Sequence, residues 1–83
     1  MQKDLAKAGY RTTREVESGE ETIFLWHPAY HDGMMAIGWA IKSGSWGAYG
    51  RDRRDAGVRL GRGASLDQAL IAIIAWAAEH GQV

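Results

Sequence analysis

The sequence contains no cysteine. That excludes disulfide frameworks, thiolate nucleophiles and cysteine-bound zinc or iron–sulfur centres, and it fits a reducing compartment. Net charge is also lacking: ten basic and ten acidic residues cancel, so the composition provides no bulk attraction to a polyanion. Proline occurs once, at Pro28. The longest apolar run, ALIAIIAWAA over residues 69–78, falls well short of the ~20 residues that span a bilayer. The opening MQKDLAKAGY has no apolar stretch of the secretory kind. Together these absences lead to the expectation of a cytoplasmic protein with no membrane contact.

What is present points to one small α+β domain over residues 1–83. Nearly half the residues are hydrophobic and no repeat is visible, which argues against a disordered chain. Four tryptophans are more than so small a core needs, so some are expected at an interface. The charges are unevenly placed. Glu15, Glu17, Glu20 and Glu21 crowd one segment, while residues 45–65 hold five of the ten basic residues, all arginine.

The periodicity predicts a short helix over 2–8 stopped by Gly9, then an edge strand over 10–17 and a turn at Ser18-Gly19. Residues 21–27 are apolar on both faces and read as a central strand covered on both sides, ended by Pro28. Over 34–42 the alternation separates a bulky face (Met35, Ile37, Trp39, Ile41) from a small one (Met34, Ala36, Gly38, Ala40). The bulky face is expected to meet the C-terminal helix. Strands over 46–50 and 57–62 follow through short turns, which predicts an antiparallel meander of four to five strands.

Ser65, with Gln68 three residues on, marks the start of a C-terminal helix, and Gly81 its stop. Leu66, Leu70, Ile73, Ile74 and Ala77 form its buried stripe. Apolar residues extend beyond that stripe to Ile71, Ala75, Trp76 and Ala78. Such a wide arc fits a second contact, with the N-terminal helix, another protein or a second copy of the chain in a homodimer.

The arginine-rich segment admits two readings. In one, Arg51, Arg53, Arg54, Arg59 and Arg62 bind an anion while Trp46 and Tyr49 stack on bases, helped by the free N–H groups at the helix start. In the other, glycines turn the chain, Ser65 caps the helix, and Asp52 and Asp55 neutralise a solvated hairpin. The spacing is not that of a P-loop or dinucleotide fingerprint. His27, His31 and Asp32 form the only cluster with metal or acid–base chemistry, but Pro28 puts it in a loop, off a helical i, i+4 ladder. The serines lie at turns or caps, outside any nucleophile elbow. The glutamate cluster reads as a solvated hairpin or as a mimic of nucleic-acid phosphates.

The stretch DLAKAGYRTTRE looks a little like the opening helix and strand of HicA-type ribonuclease toxins. Those carry a catalytic histidine in the following hairpin, which here reads ESGEET, so that activity is not adopted. In size and layout alone the chain is similar to small phage-encoded inhibitors, anti-CRISPR proteins among them. The resulting expectation is a non-enzymatic protein-binding module, of the kind of a phage or mobile-element inhibitor or regulator. It has no catalytic residue, cofactor or metal. Nucleic-acid binding through residues 51–62 is the alternative.

Overall fold

The computed structural model describes residues 2–51 and 57–80. Helix α1 (Gln2–Lys7) leads into strands β1 (Arg11–Glu17), β2 (Glu20–Trp26), β3 (Gly38–Ser43), β4 (Ser45–Arg51) and β5 (Gly57–Gly63), and helix α2 (Leu66–Glu79) follows. The strands form one sheet in the order β1-β2-β3-β4-β5, antiparallel throughout. This is the predicted meander, with α2 packed on β3, β4 and β5.

The start of α2 follows from its sequence. Ser65 is extended, and its Oγ accepts from the Gln68 N–H at 3.2 Å. Gln68 reaches back to accept from the Ala64 N–H at 2.7 Å, so two N–H groups at the helix start are satisfied reciprocally. The stop expected at Gly81 lies outside the described residues.

β3 is shorter than predicted. His31 and Asp32 both adopt positive φ, in a short 3-10 turn, His31–Gly33. The chain then runs irregularly to Ile37, leaving Met34 80% exposed. Ile37 bridges the strands on either side before β3 begins: its N–H donates to Leu25 O at 2.8 Å and its carbonyl accepts from the Arg51 N–H at 2.9 Å.

The two faces of β3 are reversed from the expectation. The small residues Gly38 and Ala40 meet α2, and the bulky Trp39 and Ile41 look away from it. The reason is closeness of packing. A β-carbon on Gly38 would stand 2.7 Å from Ile73 Cγ2, and one on Gly50 would stand 2.5 Å from the Trp76 ring. The sheet contributes a shallow floor of Gly38, Ala40, Ala48 and Gly50, and the helix brings the volume with Leu70, Ile73 and Trp76. Leu25, Tyr30 and Ile37 complete the core, flanked by Leu5 of α1 and by Tyr10.

β2 is likewise covered on one side only. Ile23 and Leu25 are buried, whereas Phe24 and Trp26 remain half-buried on the far side.

β5 carries a bulge. Tyr49 pairs with Arg59 but Ala48 pairs with Gly61, so Leu60 is an extra residue. Gly61 has φ +128, a conformation side chains rarely adopt. Arg59 and Arg62 are three residues apart and in a regular strand would point to opposite faces. The bulge brings both to the side of Tyr49 and Gly47, their pairing partners.

Candidate functional site

The register builds one continuous row across the side of the sheet away from α2. Thr13 pairs with Phe24, Phe24 with Trp39, Trp39 with Tyr49, and Tyr49 with Arg59. Every strand contributes one residue, and at the usual strand spacing the row is roughly 19 Å long. The rings touch as they pass: Phe24 and Trp39 are 6.4 Å apart between centroids, and Trp39 and Tyr49 are 6.1 Å apart with planes only 12° from parallel. Trp26, beside Phe24 at 6.4 Å, extends the patch towards Pro28. Its Nε1 donates to Thr13 Oγ1 at 2.8 Å, which fixes the indole.

Guanidinium groups border these rings. Arg11 lies 4.8 Å from the Trp26 ring centroid and Arg51 5.6 Å from that of Trp39, both within cation–π range. Arg51 is also held in place by its Nε, which donates to Ala36 O at 2.8 Å. Arg59 closes the row and is exposed. An open cleft of about 350 Å³ lies at the Trp26 end, between Arg11, His27 and Asp32. Glu15 and Glu17 of β1 and Glu20 of β2 lie at the other end of the sheet, where they approach the β1–β2 turn. Glu21 is paired with Arg14.

The residues singled out from sequence separate into several groups. Tyr49, Arg51 and Arg59 belong to this face. Trp46 does not: it lies three residues from Tyr49 in the same strand, so it points to the α2 side, packs against the core, and has the Lys42 ammonium 5.9 Å from its ring. The Trp46–Tyr49 stacking pair is therefore replaced by Trp39–Tyr49. Arg62 is on the correct side, but its guanidinium is occupied as a tie. It donates to Ser45 Oγ at 2.7 Å, Ser43 O at 2.7 Å and Ser45 O at 3.1 Å across the β3–β4 turn. Arg53 and Arg54, with Asp52 and Asp55, lie outside the described residues.

On α2, Ile71, Ala75 and Ala78 are exposed. Trp76 is not part of that outer surface: it lies over Gly50, and its ring stacks on His80 at 4.7 Å. Sequence reasoning missed Arg11, Phe24, Trp26 and Trp39. The signal available was the period-two alternation of β2, β3 and β4 taken together.

His27 serves a structural role. Its Nε2 meets Ala8 O at 3.0 Å and its Nδ1 accepts from the Ala29 N–H at 3.0 Å. The ring packs on Tyr10 at 4.7 Å, and burial raises the Tyr10 pKa. Among the described residues, no three histidine or carboxylate side chains are grouped to hold a metal ion, and no helix is long and apolar enough to cross a membrane.

Comparisons with protein-family models, with curated proteins and with solved structures find no match.

Proposed function

We propose that the protein is a non-enzymatic binding module whose recognition surface is the side of the sheet away from α2. The observation that carries this reading is the row Phe24–Trp39–Tyr49–Arg59, flanked by Trp26, Arg11 and Arg51. Large rings stabilise a small protein most when they are buried. Here four of them are left half-buried side by side, on the side away from the α2-packed core. Aromatic residues and arginine are also the types that dominate recognition surfaces. Two side chains with catalytic chemistry serve structural ends: His27 ties α1 to the strand end, and Ser65 caps α2. A module of this kind acts by occupancy, as a small inhibitor or regulator does.

The test is capture from source lysate with tagged wild-type protein, Y49S, R59A and the α2 variant I71S, each first shown to be folded by circular dichroism. Y49S and R59A are expected to lose what the wild type captures, and I71S to retain it. The reverse pattern would overturn the reading. It would favour a second one, a protein partner or a second copy on the outer side of α2, for which the observation is Ile71, 47% exposed beside Ala75 and Ala78.

A further inference from the structure

We infer that the occupant of this face is single-stranded nucleic acid; the inference rests on the face being the recognition surface. The first argument is shape. A sheet face is broad and shallow, whereas base pairs in a duplex are read from within a groove. What Trp39 and Tyr49 offer is two nearly parallel ring planes, and only unpaired bases have free faces to lay against them. Stacking of this kind tolerates any base, which suits a row without a cluster of amide side chains.

The second argument is charge. The chain as a whole is neutral, yet Arg11, Arg51 and Arg59 all border the aromatic patch against one carboxylate, Asp32, in the cleft beside Arg11, while Glu15 and Glu17 lie towards the β1–β2 turn. An anionic backbone crossing the aromatic half of the sheet therefore meets cations near Trp26, near Trp39 and at the end of the row. The third argument concerns what is scarce. The core of a protein interface shares the aromatic residues and arginine found here, but it is apolar overall. On this face Ile41 is the one half-buried aliphatic residue of β2, β3 and β4, and Thr13, Thr22, Ser43 and Ser45 fill much of the remainder. Guanidinium groups over rings, with hydroxyls between, match alternating bases and phosphates better than an apolar peptide.

The experiment is fluorescence anisotropy with labelled oligothymidylate and oligouridylate of about a dozen nucleotides, and with a duplex of the same length, across a salt series. Tryptophan emission is followed in parallel. Single strands are expected to bind in preference to duplex and to quench tryptophan. The logarithm of the binding constant is expected to fall with log salt at a slope of about −1.4, at roughly 0.7 per phosphate contact for Arg11 and Arg59. Y49S is expected to weaken binding between about fivefold and about a hundredfold, with Y49F retaining most of it. R59A is expected to lower the slope by about 0.7.

Absent binding, binding indifferent to salt, equal affinity for duplex, or full affinity in Y49S would each overturn the inference. The two failures are distinguishable. If the oligonucleotides do not bind but Y49S and R59A still lose a protein captured from lysate, the face remains the recognition surface and only its occupant was wrongly assigned. If those variants lose nothing in either assay, both readings fall.

Discussion

Gly50 lies directly beneath the indole of Trp76, so close that a β-carbon at position 50 would stand 2.5 Å from its Cε3. The contact sets how deeply α2 is seated on β4. The Gly50→Ala substitution is expected to destabilise the protein by about 1–3 kcal/mol through overpacking against the Trp76 ring. Urea unfolding should show a lower midpoint with an unchanged slope. Combining G50A with W76L should cost less than the sum of the two single changes, because each loss arises from the same contact.

Two neighbours on α2 should respond in opposite ways. Leu70 is fully buried, and Leu70→Ala is expected to cost about 2–5 kcal/mol. Ile71 is 47% exposed on the outer side, and Ile71→Ser should stay within about 0.5 kcal/mol of wild type. Thermal unfolding of the pair measures both. A large loss for I71S would mean that the outer side of α2 is covered in solution.

Arg59 and Arg62 share a face but should separate by phenotype. Arg62 ties the β3–β4 turn through Ser43 and Ser45, and R62A is expected to lower stability by about 1 kcal/mol. Arg59 is exposed at the end of the aromatic row, so R59A should leave the unfolding midpoint unchanged and weaken binding. Denaturant unfolding and oligonucleotide anisotropy on the same two variants decide the matter.

Burial raises the Tyr10 pKa above its ordinary value of 10.0. As pH rises past that value the unfolded chain loses the phenolic proton first, so the folded state is progressively disfavoured. The Tyr10 contribution is therefore fully present below about pH 10 and is lost as pH climbs through the raised folded value. Tyr10→Phe has no proton to lose. The difference in stability between wild type and Y10F, followed by denaturant unfolding from neutral to strongly alkaline pH, should be flat at first and then move against the wild type.

Ser65→Ala removes the side-chain acceptor of the Gln68 N–H and should cost about 1 kcal/mol. Hydrogen exchange should accelerate at Gln68 and little elsewhere, because the rest of α2 is held by packing on the sheet.

Much of the fold was legible because turns and caps are local. Gly9, Ser18-Gly19 and Ser65 mark boundaries through their own backbone chemistry, and the short connections between strands leave little choice but a meander. What was not legible is which side of a strand faces the helix. Alternation tells which residues share a side, and in β3 both sides are apolar, so Trp39 and Gly38 were equally eligible. The distance of closest approach of α2 settled it, and that distance depends on Gly50, Ala48 and Ile73 in other elements. The mistaken pairing of Trp46 with Tyr49 is different in kind. Three residues apart in a strand means opposite sides, so that correction was available from sequence. The short β3 was not, because it turns on positive φ at His31 and Asp32, residues that do not require it.

The bulge in β5 gives the candidate face one residue of slack in chain length. Because Leu60 and Gly61 together oppose a single residue of β4, they act as a one-residue phase shift in the alternation of sides. Removing one residue there would cancel the shift. Arg59 and Arg62 would then be two residues apart and share a side in a regular strand, with Arg62 still opposite Gly47 and within reach of Ser43 and Ser45. In a library of single-residue deletions, variants lacking position 60 or 61 should be retained among binders, whereas those lacking Ala48 from the regularly paired β4 should be depleted.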